Sequence, residues 1–474
     1  MTDQNENSMI AQVLSLPEMI RTEFDQLDRQ IRLLMNHEEC LNVKRVVITG
    51  CGDSHMAGVA AELAFEQLAG IPTEPMRAMK SGRYASPYVI SHYPHNPLTI
   101  GISVSGTVAR TREALGLFAK HGYPTIAITG NQESPLAQIA DKVLDCSIPE
   151  FPFAPGVRNY RMSLLALYLL AIRLGEVQDR YSQGEADKLR QGLRDTADAI
   201  EATLELIAGK TLGLAQAVAA ERSFVYVGDG PNFATALFGA AKVIESAGVH
   251  AMGQESEEWA HLQFFSAVET TTPTFLISPG YRGHDRVGDL MAPLKRIGRT
   301  TVAIVPEGDQ LVGPFADWLL PVAGQIPEAF TPMVYPVATE LFDPQQEAQI
   351  GHIRLADEAE TLIFAPATAD LIARLAHGLA DDLVTTVYLA FRGPVVVAPA
   401  MNVQMWGHPA TRANAALLAE RGHLLVGPAE GEMACGHVGA GRMAEPGEIV
   451  EAVARCFAPR DLEGRSVLVS AGPT

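Results

Sequence analysis

The sequence predicts an α/β fold throughout the chain, with two doubly wound parallel-sheet units followed by a third, shorter α/β region. Apolar strands are followed at close intervals by Gly- or Ser-containing loops and Ala-rich helices, as in "VKRVVITGCGDSHMAGVAAELAFEQLAG". The plan restarts near Ser223 with "SFVYVGDGPNFATALFGAAKVIESAG", and a different set of motifs begins near residue 340. This alternation of strand, small-residue loop and helix is typical of doubly wound parallel sheets.

The predicted organisation follows the chain in order. Residues 1–40 form a helical arm, because apolar and charged positions alternate there at helical spacing. Residues 41–155 and 221–335 form the two parallel-sheet units, and a helical connection at 156–220 joins them. Residues 340–460 form the third region, in which the strands TLIFA, PVVVA and HLLVG alternate with Ala-rich helices.

Composition excludes several classes of partner. The 36 basic and 55 acidic residues leave a net charge of −19, which argues against a nucleic-acid or anionic-membrane partner. The five cysteines form no CxxC unit, so we expect neither a disulfide framework nor a metal site, and a reducing cytoplasm fits best. No signal peptide is apparent and no apolar run reaches about 18 residues, so no membrane span is expected.

The first candidate ligand site is the segment "SVSGTVART", which contains Ser103, Ser105, Thr107 and Thr111. Short hydroxyls, a glycine and the N–H groups at the start of a helix can surround a phosphate without a net positive charge. Ser54, after the neighbouring strand, would add a further hydroxyl. Helix capping by serine and threonine is the alternative explanation for each loop taken alone.

Together these loops resemble the SIS (sugar isomerase) domain family, which binds phosphosugars. The segment "AAKVIESAGVHAMGQESEEWAH" is similar in particular to the isomerase half of glucosamine-6-phosphate synthase. By this resemblance Glu245 is the base that moves a proton between C1 and C2, Lys242 stabilises the enolate, and His261 is the acid/base for ring opening. Lys242 and Glu245 lie at i and i+3, on one helix face. Without the motif, they would be interpreted as a surface ion pair and His261 as a structural histidine.

Three features depart from the family pattern. Asp53 stands where the family has a threonine, and Val104 where it has a polar amide. An aspartate beside a phosphate would repel it unless the carboxylate points away or binds an amine. The second unit has "SPGYRG" in place of a Ser/Gly loop, so no phosphate is expected there. Isomerase, deglycase and deaminase chemistry, and sugar-phosphate binding without catalysis, all stay open, and no cofactor is expected in this region.

The last third contains "GHI" ahead of "APATAD", then "PAMNVQMW", then "ACG". These motifs resemble the flavin-dependent phosphopantothenoylcysteine decarboxylase (flavoprotein) part of the bifunctional coenzyme A biosynthesis protein. The resemblance implies a Rossmann-like fold, an FMN cofactor and 4′-phosphopantothenoylcysteine as substrate. In that family the flavin oxidises the thiol side of the substrate, which creates a sink for the electrons left by the departing carboxylate.

The same resemblance implies roles for individual residues. His352 would be the base near the thiol, Asn402 would hold the substrate carboxylate, and Cys435 would protonate the reduced intermediate. Further contacts are implied to the substrate from Ala434, and to FMN from Thr368, Ala369, Asp370, Leu371 and Ala400. Asp370 stands where the family usually has asparagine, which predicts a weaker flavin contact or altered redox tuning. Taken singly, His352 would be a helix-start histidine and Cys435 an inert buried thiol.

The two resemblances meet at residues 335–350. "IPEAFTPMVYPVATELF" suits the end of the sugar-isomerase part, and "PVATELFDPQQEAQIGHI" suits the middle of the decarboxylase. The decarboxylase family begins with its own strand, glycine loop and helix, where this chain has isomerase-like sequence and no Pro/Gly/Ser linker. We therefore expect a composite chain with an incomplete flavin site, through a natural fusion or an accidental join. The terminal "DLEGRSVLVSAGPT", 461–474, resembles the start of a truncated synthetase domain.

Three hypotheses for function follow. The first is a phosphosugar isomerase or related sugar-phosphate enzyme. The second is an FMN-dependent phosphopantothenoylcysteine decarboxylase, inactive if the truncation removes an essential part of the flavin site. The third is a non-catalytic sugar-phosphate-binding protein with an inert decarboxylase fragment. Both families place catalytic residues at subunit contacts, so a homo-oligomer is expected.

Overall fold

The computed structural model describes residues 8–85, 97–149, 151, 155–266, 271–340, 359–379, 383–432 and 438–458. The chain divides into two compact units, Met1–Gln345 and Gln346–Thr474. Parallel strands alternate with helices in both units, which confirms the predicted α/β class. Among the described residues, no helix is both long enough and apolar enough to cross a membrane.

The first sheet of the larger unit has five parallel strands in the order β2-β1-β3-β4-β5. Every residue of β1, β3 and β4 is buried, as expected for a parallel sheet with helices on both faces. Because β2 and β3 lie on opposite sides of β1, the winding direction reverses at β1. The strands are β1 (Val46–Gly50), β2 (Thr73–Arg77), β3 (Leu98–Ile102), β4 (Thr125–Thr129) and β5 (Lys142–Asp145).

The second sheet repeats this topology. Its parallel strands have the order β7-β6-β8-β9-β10, so the winding direction reverses at β6. The strands are β6 (Ser223–Gly228), β7 (His250–Gln254), β8 (Thr274–Ile277), β9 (Thr301–Pro306) and β10 (Trp318–Val322).

The two sheets agree down to individual hydrogen bonds. In the first, the Asp141 carboxylate accepts from the N–H and the hydroxyl of Thr125, at 2.9 and 2.8 Å. In the second, the Asp317 carboxylate accepts from the same two groups of Thr301, both at 2.8 Å. In each pair the threonine begins one strand and the aspartate stands at or next to the start of its neighbour. The larger unit is therefore an internal duplication.

Helices surround and join the two sheets. The helix Val157–Val177 is buried along most of its length, because its sequence "LLALYLLAI" is apolar all round. The helix Leu16–Leu34 packs its apolar face on it, and Arg190 links the two helices through Asp28 at 3.1 Å and Glu176 at 2.6 Å.

The helices of this unit are Ser8–Leu14, Leu16–Leu34, His37–Asn42, Asp53–Ala64, Ala109–Lys120, Val157–Val177, Gln183–Arg194, Thr196–Ile207, Thr211–Val218, Pro231–Ala247, Ser256–His261, His284–Arg296 and Val337–Glu340. Short π-helical or 3₁₀ segments are Phe65–Ala69, Lys80–Ala85, Gln263–Phe265, Gly313–Phe315 and Glu328–Met333.

The smaller unit contains three parallel strands in the order β11-β12-β13 and an antiparallel hairpin, β14–β15. Val397 and Leu418 are in its apolar core. The strands are β11 (Leu362–Ala367), β12 (Val395–Pro399), β13 (Leu424–Leu425), β14 (Ala429–Glu432) and β15 (Val438–Arg442). The helices are Ala369–His377, Leu383–Ala390, Val403–Gly407, Pro409–Glu420 and Pro446–Phe457.

Candidate functional site

The first candidate site lies at the carboxyl ends of β1 and β3, where the first sheet reverses its winding. Ligands of doubly wound sheets bind in the crevice that such a reversal opens. The loop after β1 ends at Gly52, which has a φ of 53° and caps the helix Asp53–Ala64. Gly230 makes the same turn after β6, with a φ of 54°, and a side chain at either position would be strained.

The Ser/Thr loop after β3 leads directly into the helix Ala109–Lys120. Ser103 is 2% exposed, and its hydroxyl has no hydrogen-bond partner among the described residues. The hydroxyls of Ser105 and Thr107 lie 2.8 Å apart at the surface, directly ahead of the helix Ala109–Lys120. Thr111, in the first turn of that helix, donates to the sulfur of Cys51 at 3.8 Å. The loop after β1 is thus in contact with the helix that follows the Ser/Thr loop.

Lys242 joins this crevice to the second half of the unit. Its side chain is 1% exposed, and Nζ lies 2.8 Å from Asp53 Oδ2 and 2.7 Å from Glu245 Oε2. Asp53 opens the helix after β1, 189 residues away in sequence. Lys242 also lies 4.6 Å from the centre of the Phe238 ring. The predicted pair is therefore part of a three-residue ionic cluster with a buried ammonium, unlike a surface ion pair.

The cluster resolves the expected conflict between Asp53 and a phosphate. The Asp53 carboxylate binds the ammonium of Lys242, so its charge is compensated within the protein. Burial raises the pKa of the Asp53 carboxyl, while the neighbouring Lys242 opposes that rise. Ser54, next in sequence, is half-buried in the first turn of the same helix.

The hydrogen bond that His261 makes is to Glu257 and not to Lys242 or Glu245. The histidine is the last residue of the helix Ser256–His261, its side chain is 69% exposed, and its Nε2 lies 3.1 Å from Glu257 Oε1. Glu257 is also paired with Arg286 at 2.6 Å. The acid/base role of His261 stays a prediction.

A second crevice, which the motifs did not indicate, lies at the equivalent winding reversal of the second sheet. It is a cavity of about 330 Å³ between the loops after β6 and β8 and the helix Asp53–Ala64. Ser278 and His284 line it, and Glu62 contributes from the helix. Burial and the neighbouring Glu66 and Glu74 raise the pKa of Glu62 to about 7. The sequence signal was a serine directly after a buried strand, with a histidine six residues later.

In the smaller unit, two predicted loops follow the adjacent strands β11 and β12. Thr368 caps the helix Ala369–His377, its hydroxyl accepting from the N–H of Leu371 at 3.2 Å. Asp370, in the first turn, has a side chain 81% exposed. Ala400 N–H donates to the Ala367 carbonyl at 3.0 Å, which joins the ends of the two strands.

Asn402 caps the helix Val403–Gly407, its side-chain oxygen accepting from the N–H of Gln404 at 2.8 Å. It follows β12 by three residues, so it stands at the same edge of the sheet as Thr368. The other predicted residues of this site, His352, Ala434 and Cys435, lie outside the described residues.

Comparison with known families finds one match in each of two parts of the chain. The family model described as SIS domain matches residues 40–173, and the model described as Flavoprotein matches residues 316–458.

Curated relatives match the flavoprotein part. The chain is 54% identical over 139 residues to the coenzyme A biosynthesis bifunctional protein CoaBC of Vibrio parahaemolyticus, and 50% identical over 141 residues to that of Escherichia coli K12. These matches cover 29% and 30% of this chain. The chain spans 35% of the length of each relative.

Solved structures resemble the larger unit in fold. The C-terminal domain of glucosamine-fructose-6-phosphate aminotransferase from Francisella tularensis matches with a TM-score of 0.62 and 18% identity, over 72% of this chain and 95% of that one. Tagatose-6-phosphate ketose/aldose isomerase from Escherichia coli matches with a TM-score of 0.57 and 19% identity, over 73% and 95%. Residues 40–173 are thus similar to SIS domains, within a unit that is folded like these solved structures, and residues 316–458 are similar to flavoprotein domains and to part of the coenzyme A biosynthesis bifunctional protein.

Proposed function

We propose that the larger unit binds a phosphosugar at the crevice between β1 and β3 and transfers a proton between C1 and C2 of its open-chain form. The observation that carries this proposal is the buried Lys242, hydrogen-bonded to both Glu245 and Asp53. That cluster holds a carboxylate and an ammonium beside the loops that follow β1. The fold shared with phosphosugar isomerases supports the same assignment.

The cluster has the groups that an enolisation needs. Glu245 is 44% exposed, so its carboxylate can reach a substrate carbon, as a general base must. An ammonium has three N–H donors, and Asp53 and Glu245 engage two of those of Lys242. The third can donate to the oxygen on which negative charge develops, which lowers the energy of an enolate-like transition state.

The Ser/Thr loop supplies the phosphate contacts in this proposal. The hydroxyls of Ser103, Ser105, Thr107 and Thr111, with Ser54 from the neighbouring loop, would share the phosphate with the N–H groups of the helix Ala109–Lys120. The hydroxyl of buried Ser103, which has no partner in the part of the chain that the structure describes, supports this, because a buried polar group without a partner is costly unless a ligand satisfies it.

His261 would open the sugar ring, from the solvent-exposed end of its helix. A second copy of the chain in the expected homo-oligomer could bring another site to this exposed histidine. Both the ring-opening role and the oligomer are proposals.

Solvent exchange tests the proton transfer directly. Glucose 6-phosphate, fructose 6-phosphate and their 2-amino analogues would be incubated with the protein in D₂O, and deuterium at C1 or C2 followed by NMR. Glu245→Gln should slow exchange by about 100-fold or more, because a positioned general base is worth that much. Glu205→Gln, an exposed glutamate on the helix Thr196–Ile207, is the matched control and should exchange as the wild type does.

Exchange that is equal in wild type and Glu245→Gln would contradict the assigned role. Binding of these sugar phosphates without any exchange would instead support the non-catalytic sugar-phosphate-binding alternative. Deglycase or deaminase chemistry would appear as release of the amine from the amino analogue.

A second proposed function concerns the smaller unit, as an FMN-dependent phosphopantothenoylcysteine decarboxylase. It is favoured by the loops at Thr368–Leu371 and Ala400–Asn402, which stand at one edge of the sheet, and by the 54% identity to CoaBC over 139 residues. The capped N-terminus of the helix Ala369–His377 suits an anionic cofactor, since its first N–H groups carry partial positive charge. FMN, when bound, would accept two electrons from the substrate. The Asn402 amide can hold a carboxylate without a tight ion pair that would oppose its loss.

A further inference from the structure

A serine and a histidine that line the cavity of the second sheet form one hydrogen-bonded series with an aspartate that is not part of its lining. Ser278 Oγ lies 2.8 Å from His284 Nδ1, and His284 Nε2 lies 2.7 Å from Asp309 Oδ1. Ser278 directly follows β8, His284 begins the helix His284–Arg296, and Asp309 follows β9. A nucleophile bonded to a base that a third group orients is the arrangement of an activated serine.

The fold fixes the position of each of these three residues. Asp309 is 6% exposed, and its Oδ2 accepts from the N–H groups of Val312 and Gly313 at 2.8 and 2.7 Å. Although burial opposes it, these N–H groups and His284 lower the pKa of Asp309, so it stays a carboxylate that accepts the Nε2–H of His284. In the neutral tautomer that carries its proton on Nε2, Nδ1 accepts from the Ser278 hydroxyl.

The comparison with the first sheet shows that this serine differs from its counterpart. Ser103 and Ser278 occupy the same place, since each donates its N–H at 3.0 Å to a carbonyl of the next strand, Ile128 and Ile304 respectively. The Ser103 hydroxyl has no partner among the described residues, whereas that of Ser278 is bonded to an imidazole. Among the described residues, the serine of the second sheet therefore has a base bonded to it and that of the first sheet has none.

We propose that the cavity is a second, independent reactive site, in which Ser278 is an acyl-accepting nucleophile, His284 its general base and Asp309 the positioning residue for His284. Ser278 Oγ forms a bond to the carbonyl carbon of an ester while its proton passes to His284 Nδ1. The bond from that carbon to the alcohol oxygen breaks, and the alcohol leaves with the proton from His284. Water then adds to the acyl-serine by the same route, which releases the acid and restores the serine.

The walls of the cavity define the charge of the substrate. Glu62, Glu66, Asp229 and Glu255 line it, whereas Arg282 is paired with Glu328 at 3.1 Å. Burial, with Asp229 and Glu258 nearby, raises the pKa of Glu255, which indicates an electrostatically negative surrounding. The substrate class is therefore a small ester that is uncharged or cationic, and anionic esters such as sugar phosphates are excluded.

Diisopropyl fluorophosphate, an uncharged reagent for activated serines, tests the site without knowledge of the natural substrate. The full chain should take up one diisopropylphosphoryl group, and peptide mapping by mass spectrometry should place it on Ser278. Labelling should be absent in Ser278→Ala and about 100-fold slower in His284→Gln, as expected for loss of a general base. Ser246→Ala removes another buried serine hydroxyl and should label as the wild type does.

Asp309→Asn should also slow labelling. The circular dichroism of His284→Gln should match that of the wild type, so that its slower labelling is not a result of unfolding. An unlabelled wild type, a label mapped to another serine, or equal labelling rates in wild type and His284→Gln would each overturn the proposal. Because the mapping uses the wild-type protein, it decides the matter even if a variant fails to fold. Loss of solvent exchange in Glu245→Gln with unchanged Ser278 labelling would show that the two sites are separate.

Discussion

At the scale of single residues, Lys242 has one contact that its sequence motif predicts and one that the motif does not predict. Its spacing to Glu245 predicted a shared helix face, which the helix Pro231–Ala247 provides. The same spacing fits an exposed ion pair, and only tertiary packing buries the ammonium and adds Asp53 as a second carboxylate. The departure at Asp53, which suggested repulsion of a phosphate, becomes part of the ionic cluster.

Removal of Lys242 should therefore lower the unfolding free energy. Lys242→Ala leaves the partly buried Asp53 carboxylate without its cation, and we expect the unfolding free energy to fall by about 3 kcal/mol. Lys295→Ala is the matched control, since it breaks a solvent-exposed pair with Asp317 and should cost less than about 1 kcal/mol. Urea unfolding followed by circular dichroism measures both. Equal losses would mean that the Lys242 cluster contributes no more than a surface pair.

Glu62 should make stability depend on pH. Its folded-state pKa of about 7 lies above the ordinary value of 4.5, so the folded chain binds the proton more tightly than the unfolded chain. The unfolding free energy should then fall as pH rises from 4.5 to 7, and the whole loss should persist above pH 7. Glu62→Gln should raise the melting temperature above pH 7 but not below pH 4.5.

The exposed Glu205→Gln is the control for Glu62→Gln and should change the melting temperature little at either pH. A Glu62→Gln variant whose stability relative to wild type is the same on both sides of this range would refute the raised pKa.

At the scale of elements, the duplicated sheet explains why two crevices exist and why only one was expected. The strand–loop–helix pattern predicted both sheets, because apolar strands and small-residue loops are local signals. Ser278 and His284 lie six residues apart after β8, whereas Asp309 follows the next strand, β9. No local pattern joins Asp309 to the other two residues, and only the parallel pairing of β8 and β9 brings it to the same edge.

The duplicated Thr–Asp pairs predict equal effects in the two sheets. Asp141→Ala and Asp317→Ala each remove a carboxylate that accepts two hydrogen bonds from a threonine, and loss of those bonds should lower the unfolding free energy by about 1 kcal/mol in each case. Asp289→Ala, an exposed helical aspartate, should stay within about 0.5 kcal/mol of wild type. If one of the two substitutions is neutral in urea unfolding, the pairs are not equivalent in energy.

At the scale of the whole molecule, the start of the Flavoprotein match overlaps the second sheet of the larger unit. The Flavoprotein match begins at residue 316, yet β10, at Trp318–Val322, pairs in parallel with β9 in the second sheet of the larger unit. The smaller unit begins only at Gln346, and in it β11 stands at the edge of the described three-stranded sheet with Ile363 47% exposed. These facts accord with the expected composite chain, which stays a hypothesis.

Flavin binding tests whether the smaller unit works in this chain. We expect protein purified with excess FMN and then desalted to retain the visible absorption band of oxidised flavin. Asp370→Asn should bind FMN about twofold to fivefold more tightly, because it removes an exposed negative charge from a helix N-terminus that attracts anions. Glu451→Gln, an exposed acid elsewhere in this unit, should not alter affinity. Colourless wild-type and Asp370→Asn proteins would exclude decarboxylase activity in this chain.

The sequence by itself determined the α/β class, the two sheets of the larger unit, the Ser/Thr loop and the Lys242–Glu245 face, because each depends on residues close together in the chain. The tertiary structure alone decided that Asp53 neutralises Lys242, that His261 is exposed and bonded to Glu257, and that Ser278, His284 and Asp309 meet. These contacts depend on strand order and helix packing, which local sequence patterns do not encode. Burial then determines the charge and the hydrogen-bonding partners of each group.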